Sequence, residues 1–162
     1  MSQPVPPQSG NPFGTADAPY APTPPAAPVR DNAVLGIVVA VVAALVGAGA
    51  YGALSGSIER EIGYAAIGVG FLIGFAAAKA GGRNAALPFV SAVLALPAVY
   101  LGQLIAGAVI ITKSTDVAFT EVFIDHFDAL TKAWSESADV MSYLFLAIGA
   151  VAAFGAAKKV VS

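Results

Sequence analysis

Apolar residues fall in four long runs, and charged residues fall almost entirely between them. Asn32 to Ile58 is 27 residues without a charge, Ile62 to Ala78 is 17, Asn84 to Thr112 is 29, and Val140 to Ala157 is 18. Neither a period of two nor a single apolar stripe organises these runs; they are apolar all round, as helices in lipid are. About 20 such residues in a helix cross a hydrocarbon core of roughly 30 Å. Each run therefore has the length of a membrane span. The second is at the short limit, where Lys79 extends it by carrying its ammonium to the interface. The pattern predicts spans over about 33–57, 62–80, 87–112 and 140–158.

Local signals punctuate the runs. Asp31 or Asn32 suits the cap of the first helix. Ser57 to Arg60 forms a tight connection, and Glu59 and Glu61 meet the positive end of the second helix dipole. Gly81-Gly82-Arg83-Asn84 is the next turn. Pro88 fits a first helical turn. Pro97 lies inside the third run, removes the bond to the Val93 carbonyl and predicts a kink. The connection from Lys113 to Asp139 carries six of the ten acids. In it Phe119, Phe123, Phe127, Leu130 and Trp134 recur at helical spacing. One amphipathic helix over about 115–135 is expected, capped by Ser114 or Thr115. Its aromatic face would lie against the bilayer interface or the bundle end, with Trp134 as an anchor.

Helices in lipid gain little from burying apolar surface against each other, so they associate where small residues let backbones approach. Ala44, Ala48, Gly52 and Gly56 form such a stripe on the first span. Ala66, Gly70, Gly74 and Ala78 form one on the second. A hairpin about Glu61 would set Gly56 on Ala66, Gly52 on Gly70, Ala48 on Gly74 and Ala44 on Ala78, as neighbours in sequence usually pack together. Ala98, Gly102 and Ala106 on the third span could join. The alternative is that one stripe faces a second subunit in a homo-oligomer.

Residues 1–29 hold nine of the eleven prolines and no Lys or Arg. Proline fixes φ and removes a donor, so a disordered cytoplasmic tail of polyproline II character is expected. Its PxxP spacings (Pro19/Pro22, Pro22/Pro25, Pro25/Pro28) and Asn11-Pro12-Phe13 offer a docking peptide for a cytosolic protein. A solubilising leader is the plainer alternative. With no basic region directly before the first apolar run, that run is expected to be a retained span rather than a cleaved signal.

Composition narrows function mainly by exclusion. The chain is 57% hydrophobic and 11% charged, against about 25% charged in soluble domains. The bilayer is thus the first partner, and no stretch remains for a large soluble domain. A net charge of −2 without a basic cluster gives no footing for nucleic acid. Cysteine is absent, which removes disulfides and thiolate chemistry. Arg30, Lys79, Arg83, Lys158 and Lys159 gather on one side. Arg60, Lys113 and Lys132 lie on the other, among eight acids. The positive-inside rule then places both termini in the cytoplasm, with Lys79, Arg83, Lys158 and Lys159 as interface anchors.

Candidate chemistry is sparse. His126 beside Asp125 and Asp128 is a weak metal set and reads more simply as a solvated face. Gln103 is the most polar side chain deep in a span. It could line a path or hydrogen-bond a neighbouring helix. Gly68-Val69-Gly70 lacks the strand that a dinucleotide fingerprint needs. With no charged residue inside a span and no nucleophile beside a base, neither an enzyme nor a cofactor is expected.

Glu61-x-Gly63-Tyr64-x-Ala66-Ile67-Gly68-Val69-Gly70, followed by Gly74 and the basic Lys79 to Arg83 turn, resembles a motif of small uncharacterised bacterial membrane proteins with about four spans. The tail is similar to those of actinobacterial-type membrane proteins. The resemblance implies a bacterial plasma membrane location and no particular activity. The expectation is an all-α, four-helix transmembrane bundle over 32–159 with a disordered N-terminal tail and one extracytoplasmic amphipathic helix. Its function would be that of a non-enzymatic scaffold or adaptor. The alternative is a small oligomeric transporter or pore subunit, resting on Gln103, Pro97 and the glycine-rich walls.

Overall fold

The computed structural model describes residues 31–60 and 63–162. The Pro-rich tail and the turn residues Glu61 and Ile62 lie outside them. Five α-helices follow: α1 (Ala33–Ile58), α2 (Gly63–Gly81), α3 (Leu87–Ser114), α4 (Phe127–Ser137) and α5 (Val140–Val161). A π-helical turn, Glu121–Asp125, precedes α4. Among the described residues there is no strand, only one isolated bridge between Asp31 and Gly82. Four helices, α1, α2, α3 and α5, are long and apolar enough to cross a membrane, and the chain has the build of a multi-pass integral membrane protein.

Around the bundle the order is α1, α2, α5, α3. α1 packs most extensively on α3, and α2 on α5; α2 and α3 also meet across the short diagonal, while α1 and α5 do not touch. What faces inward is small. On α1 the buried residues are Gly36, Ala40, Ala43, Ala44, Gly47, Ala48, Gly52, Ser55 and Gly56 with a single large one, Tyr51. Val34, Val38, Val42, Leu45 and Val46 point out. That inversion of the soluble pattern follows from the solvent: acyl chains receive a valine as readily as a protein core does, whereas backbone approach needs small residues inside.

One end of the bundle is flush and pinned. Asn32 Oδ1 accepts from the Leu35 amide at 3.0 Å and so caps α1, while Asp31 accepts from Asn84 Nδ2 at 2.8 Å. The Asn32 amide donates to the Gly81 carbonyl at 2.9 Å. The Arg83 guanidinium donates to the Val161 and Ser162 carbonyls. Lys79 sits 5.6 Å over the Phe75 ring and Lys158 5.8 Å over Phe154, cation against π face.

The other end is stepped. At 1.5 Å per residue, α1 and α3 run about 39 and 42 Å, but α2 only about 28 Å. Starting flush, α1 and α3 project roughly 10 Å past α2. Lys113 Nζ ties the two projections together, donating to the Ser57 carbonyl at 2.8 Å and meeting Glu59 at 3.4 Å.

The segment after α3 corrects one expectation. Ser114 and Thr115 do not start an amphipathic helix. The Thr115 amide and hydroxyl both donate to the Ile111 carbonyl, at 2.9 and 2.7 Å, and finish α3. The chain must then reverse to run back along α3, which a continuing helix cannot do. It passes through an extended stretch, the π turn and a break at His126 (φ −115°, ψ 29°) before α4. Val122 and Leu130 pack on Leu104 and Ala108 of α3. Phe119 and Phe127 remain partly exposed. Asp139 caps α5 by accepting from the Ser142 amide at 2.9 Å.

Candidate functional site

The small-residue stripes interlock, but with other partners than the hairpin pairing expects. A Cβ on Gly52 would strike Ile105 and the Gly102 carbonyl; one on Gly56 would come within 2.6 Å of Val109. Ala48 presents its carbonyl to Gly102, and Ala44 lines a shallow groove with Leu94, Ala98 and the exposed Pro97. That stripe of α1 therefore meets α3. A Cβ on Gly70 would strike the Gly149 carbonyl, and one on Gly74 the Ala153 carbonyl. Ala66 presents its carbonyl to Gly149, and Ala78 is buried on the same helix. The α2 stripe therefore meets α5. α1 and α2 still touch, through a second small face of α1: Gly36 lies against Ala77 and Gly81, and Gly47 against Val69. Gly68 has open space at its Cβ.

At the stepped end the projecting halves of α1 and α3, roofed by α4, border a half-open cavity of about 420 Å³. Tyr51, Ser55, Glu59 and Arg60 line it from the α1 side, Gln103 to Ile111 from α3, and Leu130 to Ser137 from α4. Its walls are mostly apolar, and its size falls in the range of small-molecule sites. A second space of about 370 Å³ lies behind Leu130 and Ile111, lined also by Glu121 and His126.

Gln103 organises the first cavity. It is buried, and its Oε1 accepts from the Trp134 indole N–H at 3.0 Å. An indole nitrogen only donates, so the amide oxygen must face Trp134 and the NH2 must face away. That NH2 has no hydrogen-bond partner, and neither has the buried hydroxyl of Ser55. Trp134 is held edge-to-face by Tyr100 at 4.7 Å and Tyr143 at 5.8 Å. Gln103 thus bonds the roofing helix rather than a neighbouring span. Ser55 and Tyr51 escape sequence reading because they sit one position off the obvious stripe; their spacing of four was the available signal.

Elsewhere Ser91 and Ser142 are buried, and the described charged side chains are exposed. Asp125, His126 and Asp128 are exposed, and no three His, Asp or Glu converge among the described residues. Asp139, at the mouth of α5 and outside the apolar spans, has its carboxyl held below the usual range, chiefly by the hydrogen bond from the Ser142 amide. Comparison with protein-family models, with curated proteins and with solved structures gives no match.

Proposed function

We propose that this chain is a non-enzymatic multi-pass membrane protein that holds a small, partly apolar guest beneath α4, acting as an adaptor rather than a carrier. The buried Gln103 amide carries the reading: its oxygen is taken by Trp134, which fixes α4 as the roof of the cavity. A carrier would need a path onward to the flush end. On the way, at mid-depth, α2 and α5 meet backbone to backbone at Gly70, Gly74 and Gly149, which favours a blind pocket. The charge distribution supports an orientation with both termini cytoplasmic and α4 outside, and the motif resemblance is what points to a bacterial plasma membrane. The Pro-rich tail would dock a cytosolic protein, and a pull-down with and without residues 2–29 tests that part. For the pocket, native mass spectrometry of the full chain released from membranes should find a bound small molecule, lost in Gly107→Leu. A wild-type protein carrying no adduct would count against it.

A further inference from the structure

We infer that the π turn and α4 form a lid, docked on α3 by a single latch and able to lift from it as one piece. Each of the four spans packs on at least two others, but the π turn and α4 pack on α3 and on each other alone. The burial that holds them is small. Val122 from the turn and Leu130 from α4 lie on Leu104 and Ala108, and α4 buries no second residue. Spaces of about 420 and 370 Å³ flank Leu130, so the seam is loosely filled. Few buried apolar contacts, with Asp128, Lys132 and Glu136 exposed on the outer face, mark a segment that opens well below the cost of global unfolding. The joints at either end are extended: Thr115 has φ −134° and ψ 139°, and Ala138 has φ −63° and ψ 123°. Torsion changes there leave α3 and α4 helical, as a hinge requires. Between the joints Phe119 stacks on Phe123 at 5.4 Å, and Phe123 meets Phe127 edge-to-face at 5.7 Å, which holds turn and helix together across the break at His126. Among the described residues one side-chain hydrogen bond crosses from lid to span, Trp134 Nε1 to Gln103 Oε1 at 3.0 Å. That bond is the latch.

The lid hides Ala108, which is fully buried, and the chain has no cysteine. In the full chain in neutral detergent, Ala108→Cys should react with a water-soluble maleimide far more slowly than Ser135→Cys on the exposed face of α4, at a rate set by how often the lid lifts. Small additions of SDS that leave the bundle folded should not change that rate, since the opening is local. Trp134→Phe keeps a ring but has no N–H, and Gln103→Leu has no acceptor. Each should speed labelling of Ala108→Cys about tenfold, the worth of one hydrogen bond and its stranded partner. The double variant should be no faster than the faster single, because both remove the same bond. Leu104→Cys, which removes volume where Ala108→Cys adds it, should follow the same pattern and serves if the latter disturbs the seam. Labelling that rises only with global unfolding, or that matches Ser135→Cys from the start, would overturn the lid. Rates that neither single variant changes, or that multiply in the double, would overturn the latch. None of these outcomes needs a guest in the cavity, so a failed lid leaves the pocket reading standing.

Discussion

Gly68 and Gly70 sit two positions apart on α2 and meet opposite environments. At Gly70 an added Cβ would overlap the carbonyl oxygen of Gly149, and at 3.2 Å it would also crowd the Ala153 nitrogen. Those are backbone atoms of a packed helix and cannot swing aside as a side chain can. Overpacking of this kind costs about 1–3 kcal/mol, and the upper end applies where the obstacle is rigid. Alanine recovers up to about 1 kcal/mol of helix propensity, so Gly70→Ala should lose about 2 kcal/mol. At Gly68 nothing lies within 4 Å, and Gly68→Ala should be neutral or gain up to about 1 kcal/mol. The two variants should therefore differ by about 3 kcal/mol, more than a hundredfold in the folded ratio at 1.4 kcal/mol per decade. Reversible unfolding in mixed neutral-detergent and SDS micelles measures it. Two alanine variants of equal stability would refute the claim that α2 lies backbone to backbone on α5.

The helix partners can be tested directly, because the chain contains no cysteine. A Leu45→Cys, Leu101→Cys pair across the groove between α1 and α3 should be bridged by a short bis-maleimide, and a Leu45→Cys, Val151→Cys pair on α1 and α5 should not. Leu130→Ala should merge the two spaces that Leu130 divides and cost about 2–5 kcal/mol, read by the same unfolding assay. Asp139→Ala should loosen the start of α5. Because the folded carboxyl titrates below its unfolded value, the capping contribution is present above the unfolded pKa and fades as pH falls through the folded one. The protection of the Ser142 amide, relative to its intrinsic exchange rate, should fall in the variant at neutral pH and in the wild type only in acid.

The ends of the four long apolar helices were legible in the sequence, because charged and turn residues bound each uncharged run. The Asn32 cap and the Gly82 turn, where φ is 76°, were legible from residue type. The partner of each stripe was not. Ala44 to Gly56 and Ala66 to Ala78 have the same spacing and chemistry, and nothing in either names its opposite helix. α1 also carries a second small face through Gly36 and Gly47, and that one, not the predicted stripe, takes the sequential neighbour. The cavity was hidden for a related reason. It arises from the unequal lengths of α2 and α3 and from the reversal after Ser114, and both are tertiary facts. Gln103 stood out as polar, but only Trp134, 31 positions away, decides which way its amide points.

The most direct test of the whole account asks on which side of the membrane two exposed positions lie. Ala85→Cys marks the turn between α2 and α3, and Ser135→Cys marks α4. In intact cells an impermeant maleimide should label Ser135→Cys at once, and Ala85→Cys only after permeabilisation. Labelling of both from the same side would contradict a chain that crosses the bilayer through α3.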